Sequence, residues 1–410
     1  MSVRNCLFPW HWLLITNEGQ VLPCGHGSKP IGDLNISTIE EIWNGPIVQD
    51  VRAAILDGRV HQVCQSKECP YQLTDDAFPE YVPLAELDQE FCSAFDEEDY
   101  LETHPDVAAA VRLGVISSGL EHYFRHGNSE GRNYRLRTVA VQENRASTIA
   151  DNLKERSAKL TVLLSFPTDI VLAVTTVCNL SCVMCPHGMG MIRDPAHMPI
   201  EYGAKLKAFI SRASRIILSG VGEPMLAPAF WWFIDSSRFP AHAYTRVTSN
   251  AHFLRPDTAL KIVRSNLTEI SISLDAATSP TYRRIRGGSF SRVLRGILHL
   301  VKARSAQGNK AIRIYVNMTL MRENLHEAPN LVRLAHRLGV DGVVFTQLFQ
   351  FGNSPSWRVN RGGWSFAYSQ QFISAVPSDV QSTISQVMRV SESLPMAIHL
   401  RDNVASYLTA

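Results

Sequence analysis

The stretch Ile170-Val171-Leu172-Ala173-Val174-Thr175-Thr176-Val177-Cys178-Asn179-Leu180-Ser181-Cys182-Val183-Met184-Cys185-Pro186-His187 decides how this chain is read. Its first half is a short apolar run rich in β-branched residues, the composition of a buried strand. The run passes directly into three cysteines separated by three and then two residues. Three thiols are thereby gathered on one tight loop at the C-terminal end of a strand. Three thiolates can ligate three irons of a four-iron cluster, which ordinarily takes four cysteines. One iron is then left open, and an open position distinguishes a catalytic metal site from a closed structural one. On these residues alone, a tetrahedral zinc site closed by His187 is the competing reading.

Runs of the same type recur downstream at Arg215 to Leu218, Arg246 to Thr248, Glu269 to Leu274, Arg313 to Leu320 and Gly342 to Thr346. Amphipathic segments such as Ile200 to Arg212, Phe290 to Ser305 and Leu325 to Leu338 lie between them. Such alternation predicts βα units around a parallel sheet. The six units predict an α/β fold, a partial (βα)6 TIM-like barrel over 166–410, with its chemistry at the C-terminal strand ends. A zinc knuckle needs no scaffold of this size, which weighs against the zinc reading.

Polar residues recur where those strands end. Gly222-Glu223-Pro224 follows the second run, Ser249-Asn250 ends the third, and Ser271 to Asp275 forms the fourth. Arg286 lies in Tyr282-Arg283-Arg284-Ile285-Arg286-Gly287-Gly288, Asn317 on the fifth run and Gln347 at the end of the sixth. Taken singly, Gly-Glu-Pro is a turn, strand serines are plain hydrogen-bonding residues, and arginines near a glycine pair sit in solvent. Their succession along the strand ends gives them weight.

From about Asp169 to His399 this pattern resembles the radical S-adenosylmethionine (radical SAM) superfamily. The resemblance implies that Cys178, Cys182 and Cys185 hold a 4Fe-4S cluster whose open iron is chelated by S-adenosylmethionine. Reduction of that cluster then cleaves the sulfonium to a 5′-deoxyadenosyl radical, which takes hydrogen from substrate. Gly222, Glu223 and Pro224 match the family's Gly-Gly-Glu-Pro segment beside the methionyl amine, although Val221 stands where a first glycine is usual. Ser249, Asn250, Ser273 and Asp275 match strand ends that hold the ribose and the methionyl carboxylate. Arg286 is the residue assigned to that carboxylate, since a guanidinium pairs with it bidentately. Asn317 is a further cofactor contact, and no catalytic residue is assigned beyond the cluster. An electron donor such as flavodoxin or ferredoxin is the implied partner.

Residues 1–75 are loop-rich and hold Cys6, Cys24, Cys64 and Cys69, with too little apolar sequence for a core of their own. Gly19 to Cys24, Ile42-Trp43-Asn44 and Arg52 make this region resemble the SPASM module, an auxiliary iron–sulfur domain of radical SAM enzymes. Its four cysteines complete a second 4Fe-4S cluster, closed and suited to electron transfer. A four-cysteine zinc site fits the same spacing. The module usually follows the barrel, so a permuted arrangement docked on the barrel's open edge is expected. Residues 95–135 read as a helical insert, with a helix start at Pro105-Asp106-Val107, and 136–165 as a linker helix. Cys92 falls in neither cysteine group.

The net charge of +2, from 40 basic and 38 acidic side chains, supplies no bulk field for nucleic acid or membrane. The apolar run Cys6 to Ile15 is broken by Pro9 and His11, and nothing approaches the ~20 apolar residues of a span. A cytoplasmic location, where thiols stay reduced, is expected. The expected activity is redox modification of an unidentified protein side chain, sugar or small molecule. Peptide maturation and a non-catalytic zinc or iron–sulfur protein are the alternatives, and the lack of a winged-helix pattern tilts the reading away from peptides. Protein purified without air is predicted to be brown and to carry iron and sulfide; a colourless zinc protein would remove the radical reading.

Overall fold

The computed structural model describes residues 2–3, 6–25, 28–64, 72–73, 97–112, 118–123, 132, 151–152, 154–235, 237, 240–309, 311–350, 354–361, 363–394, 396–401, 404 and 407. The β-branched runs form strands β4 (Asp169–Leu172), β5 (Arg215–Leu218), β6 (Tyr244–Ser249), β7 (Glu269–Ser273), β8 (Arg313–Leu320) and β9 (Gly342–Gln347). Three strands ahead of them join the same sheet, β1 (Trp12–Ile15), β2 (Gln20–Leu22) and β3 (Gly32–Asp33), while Ser2–Val3 and Gln72–Leu73 form a separate antiparallel pair. The hairpin strands β10 (Arg358–Arg361) and β11 (Trp364–Ala367), and β12 (Ala397–Leu400), follow. The main sheet runs β12-β9-β8-β7-β6-β5-β4-β1-β2-β3. Every neighbouring pair from β12 to β1 is parallel, as a partial TIM-like barrel requires. The sheet therefore continues past the six expected strands at both edges.

The two faces of this sheet differ. Ile170, Leu172, Ile216, Leu218, Val247, Ile270, Ile272, Val316 and Phe345 are buried in one continuous apolar core. That core is shared with the helices α6 (Pro256–Val263), α8 (Phe290–Ala306), α9 (Ala328–Leu338) and α10 (Pro377–Glu392). Alternate residues face the barrel's inner side and include, beside Val171, Ile217 and Val344, many polar ones: Asp169 pairs with Arg215, Arg246 with Glu269 at 3.4 Å, and the Tyr244 hydroxyl donates to Glu269 at 2.6 Å. The outer face is thus apolar throughout, and the inner one mixed.

The N-terminal segment docks by extending this sheet. β1 lies parallel to β4, with Trp12 opposite Asp169 and Ile15 opposite Leu172. The β1–β2 turn needs Gly19, at φ +92°, because a Cβ there would stand 2.5 Å from the Tyr202 hydroxyl. Tyr202, on α3 (Glu201–Lys205), donates to Asn35 Oδ1 at 2.7 Å, and Lys205 donates to the Leu34 carbonyl at 2.5 Å. The segment expected as one helix from Ile200 to Arg212 is divided at Leu206 into α3 and α4 (Lys207–Ile210). Helix α1 (Ile39–Trp43) starts with a reciprocal capping box between Thr38 and Glu41.

Arg52, on α2 (Pro46–Leu56), is fully buried and explains the Trp43-Asn44 pattern. It donates to the carbonyls of Pro9 (2.8 Å), Trp43 (2.9 Å) and Thr161 (2.7 Å), with its guanidinium over the Trp43 ring. Trp43 donates to the Ser165 carbonyl, and the Asn44 amide bonds the Leu163 backbone in both directions. Residues 160–165 thus form a strap across the N-terminal segment, while most of the expected linker helix lies outside the described residues. Burial lowers the Arg52 pKa to about 9, so it stays charged at neutral pH. Among the described residues no helix is long and apolar enough to cross a membrane. Arg52→Met should destabilise the protein by about 3 kcal/mol or more, because three carbonyls lose their donor at about 1–3 kcal/mol each. Denaturant unfolding of the variant beside Arg52→Lys checks this, and a loss within experimental error would refute it.

Candidate active site at the cysteine loop

Past β4 the chain makes an isolated bridge between Thr175 and His197 and enters the cysteine loop. Cys182 is buried, and Cys178 and Cys185 are half-buried. The Cys185 N–H bonds the Cys182 carbonyl at 3.1 Å, and Gly188 permits the close return, since a Cβ there would meet that carbonyl at 2.0 Å. Opposite stands the C-terminus of α7 (Ser279–Arg286), whose last carbonyls have no partner within the helix. Ile285 O accepts from the Val183 N–H at 2.9 Å, and Arg286 O accepts from the Cys182 thiol at 3.7 Å. Leu180, Val183, Met184 and Met189 pack with Ile285, Met321 and Phe366 in an apolar cluster separate from the main core.

Burial pushes the Cys182 pKa up to about 12 and raises those of Cys178 and Cys185, while the Arg286 charge opposes the rise at all three. These thiols hold their protons until a metal displaces them. Burial disfavours the Arg286 charge too, yet Cys182 and Asp275 more than offset that and hold its pKa above the ordinary value. Arg286 donates to Asp275 Oδ2 at 2.8 Å, and Asp275 Oδ1 accepts from the Thr319 N–H at 2.7 Å. Asp275 itself adopts φ +58°. Ser273 lies opposite Asn317 in the sheet, and the Asn317 carbonyl accepts from the Leu274 N–H at 3.0 Å. The guanidinium Nε of Arg286 and the Oδ1 of Asn317 are buried without a hydrogen-bond partner.

The Gly222-Glu223-Pro224 turn packs on the stem of the cysteine loop. A Cβ on Gly222 would stand 2.6 Å from the carbonyls of Thr175 and Val177, and the Glu223 N–H bonds Val177 O at 2.8 Å. Pro224 opens a buried turn, and the Glu223 carboxylate accepts from the Met225 N–H (3.2 Å), the Ser249 hydroxyl (2.8 Å) and the Asn250 N–H (2.7 Å). Burial raises the Glu223 pKa despite these donors. Asn250 in turn donates to Asn179 Oδ1 at 2.8 Å and reaches within 4.0 Å of Cys178 Sγ. Strand ends and cysteine loop are thereby one hydrogen-bonded assembly.

His187, the zinc ligand of the competing reading, has its Nε2 against the Thr176 carbonyl. Among the described residues no three His, Cys, Asp or Glu side chains gather closely enough to hold a single metal ion. A donor set of three thiols beside a buried guanidinium and an unmatched amide oxygen fits a four-iron cluster with a zwitterionic ligand.

In the N-terminal segment Cys6 is buried, and Cys24 and Cys64 are half-buried. Cys24 O accepts from Ser28, and the Lys29 N–H bonds Val63 O at 2.9 Å, which brings the loop after Cys24 to the turn holding Cys64. Cys69 and Cys92 lie outside the described residues.

Several participants carried no sequence signal: Asn179, His252, which accepts from the Ser289 N–H at 3.2 Å, and Arg361. Glu327 is another. It caps the start of α7, accepting from the N–H groups of Ala277 (2.6 Å) and Thr278 (3.0 Å) and the hydroxyls of Thr278 (2.7 Å) and Thr281 (2.6 Å). Burial alone would raise the Glu327 pKa, and those donors outweigh it, leaving it below the usual value. A depressed carboxyl contributes stability above its ordinary value near ~4.3, and that contribution is lost as the pH falls through the folded value. Glu327→Gln should therefore cost about 1–3 kcal/mol at neutral pH. The gap to the parent should narrow below about pH 4, read from unfolding midpoints against pH. A gap independent of pH would refute the ionised cap.

Two family models match this chain. Residues 172–335 match the model of the radical SAM superfamily, and residues 6–70 match that of SPASM, an iron–sulfur cluster-binding domain. The mycofactocin maturase MftC of Mycobacterium ulcerans is 27% identical over 178 residues, covering 43% of this chain and 46% of that protein. The AdoMet-dependent heme synthase of Methanosarcina barkeri is 32% identical over 182 residues, covering 42% and 48%. The chain thus spans about half the length of the curated relatives it matches. The crystal structure of Streptococcus suis SuiB bound to S-adenosylmethionine has a TM-score of 0.48 at 11% identity, covering 76% of this chain and 63% of that one. The two matched domains imply 4Fe-4S clusters and S-adenosylmethionine as cofactors, and the non-catalytic zinc reading is set aside. With its cysteine loop at the end of a barrel strand and a second cysteine set ahead of it, the chain carries a radical SAM domain over residues 172–335 and, ahead of it, a SPASM domain over residues 6–70.

Proposed function

We propose that this enzyme carries out redox modification of a substrate C–H bond, with Cys178, Cys182 and Cys185 as the ligands of its catalytic cluster. The observation that carries the reading is the placement of three buried or half-buried thiols around Arg286 at the C-terminal end of a parallel strand. When bound, the cluster and S-adenosylmethionine together supply a 5′-deoxyadenosyl radical. The chain's own residues hold and orient. Arg286 offers an unmatched Nε to a carboxylate, and Asn317 an unmatched oxygen to a hydroxyl or ammonium. Ser273 stands beside Asn317, while Gly222, Glu223, Pro224, Ser249, Asn250 and Asp275 fix the wall on which the ligand rests.

Cys6, Cys24, Cys64 and Cys69 are proposed to hold an auxiliary cluster within 1–75. That unit is followed by a helical insert at 95–135, a linker at 136–165 and the barrel at 166–410. A cluster capped by four thiolates transfers electrons and leaves no iron open to substrate. A small acidic redox protein such as flavodoxin or ferredoxin is the proposed electron donor.

A peptide substrate is the second reading, favoured by relatives named mycofactocin maturase. Reconstituted protein given dithionite and S-adenosylmethionine should form 5′-deoxyadenosine, and Cys182→Ala should form none. Deuterium passing from a candidate peptide into that product would establish the peptide reading. No 5′-deoxyadenosine from protein with a filled cluster and bound S-adenosylmethionine would sink the proposal.

A further inference from the structure

The hairpin β10–β11 lies outside the main sheet and packs on the cysteine loop. Its alternate residues Val359, Arg361, Trp364 and Phe366 are the less exposed ones, and Phe366 is fully buried in the apolar cluster that holds Leu180, Cys182 and Val183. Arg361 is the polar member of that inward row. Its Nη2 donates to the Ser181 carbonyl at 2.5 Å and lies 3.2 Å from the Ser181 hydroxyl, while its Nη1 donates to the Arg284 carbonyl at 3.2 Å. Ser181 precedes Cys182, and Arg284 belongs to the last turn of α7. Gly287, at φ +73°, leaves room for the guanidinium, since a Cβ there would stand 3.0 Å from Nη1.

Three neighbouring bonds therefore seat Cys182 against the end of α7. Arg361 joins Ser181 O to Arg284 O, Val183 N bonds Ile285 O, and the Cys182 thiol faces Arg286 O. Arg361 is thus a second cation beside this loop, held at Ser181 and Arg284 and not at a thiol.

Resting on the proposed assignment of the three cysteines, we infer that Arg361 is a positioning residue for the catalytic cluster, holding the Cys178–Cys182 span against α7 and supplying positive charge beside it. Residues that support metal ligands in this way are worth about 10–100-fold in metal affinity. As Arg361 is only half-buried, the lower end applies.

The test uses full-length protein, reconstituted without air, and follows the reduced-cluster EPR signal that changes on adding S-adenosylmethionine, so that the auxiliary cluster is not counted. Arg361→Gln should lose this signal to a chelator about tenfold faster than the parent and show a more negative midpoint potential. Arg361→Lys should keep the potential, having the charge, but lose the signal faster, since an ammonium does not bridge both carbonyls in the fork geometry. Gly287→Ala keeps every charge and should speed loss as the lysine variant does, and it serves if Arg361→Gln fails to fold. Loss rates within twofold of the parent in the variants that fold, with potentials unmoved, would overturn the inference while leaving the cluster assignment intact. A parent with no signal responsive to S-adenosylmethionine would overturn the assignment and this inference with it.

Discussion

Three thiols that, on the proposed assignment, give up their protons to a cluster occupy a place where burial favours keeping them, and the structure around them answers to that conflict. Arg286 is the buried cation whose charge reaches all three, and it stays in position because Asp275 holds it from behind. Asp275 is itself fixed by the Thr319 N–H, and its carbonyl accepts from Asn324 at 3.0 Å. A buried ion pair of this kind adds little net stability, but breaking it by removing one partner leaves a buried charge uncompensated. Its value is geometric. Asp275 and Ala251, neither of them glycine, sit at φ +58° and +62° just past the ends of β7 and β6, after Leu274 and Asn250. Left-handed backbone of this sort costs of order 1–3 kcal/mol per residue and persists where neighbours over-determine it. Here the Arg286 and Thr319 bonds do so for Asp275, and the Ser249 hydroxyl does so for the Ala251 N–H.

The helix that carries Arg286 is held at both ends by groups distant in sequence. Glu327 satisfies its first turn, and the cysteine loop and hairpin satisfy its last carbonyls. A displacement of this helix would move the guanidinium and the Cys182 seat together. The cation and the thiols thus keep one geometry, which electrostatic support of a cluster needs more than it needs raw affinity.

The cysteine loop, the parallel sheet and the strand-end polar residues were legible because each depends on spacing or periodicity within a short window. What those polar side chains touch was not. Gly222 reads as a residue that lets a ligand approach, yet its empty side is filled by the Thr175 and Val177 carbonyls. Glu223 reads as a carboxylate near the ligand, and its oxygens accept from the Met225 N–H, the Ser249 hydroxyl and the Asn250 N–H. Such choices are made by groups brought together only when the sheet forms. The hairpin did leave a sign, since Arg358-Val359-Asn360-Arg361-Gly362-Gly363-Trp364-Ser365-Phe366 alternates around a glycine pair. Its docking on the cysteine loop left none. Glu327 lies within an amphipathic segment, where nothing separates a helix cap from an ordinary surface acid.

The parallel pairing of β1 with β4 has a bearing on how the protein is made. Contacts along that seam, such as Thr168 to the His11 carbonyl, join residues 157 positions apart in the chain. At synthesis rates of about 5–20 residues per second, the first strand leaves the ribosome on the order of ten seconds before its partner exists. Through that interval its apolar edge and the cysteines around it are without their final neighbour.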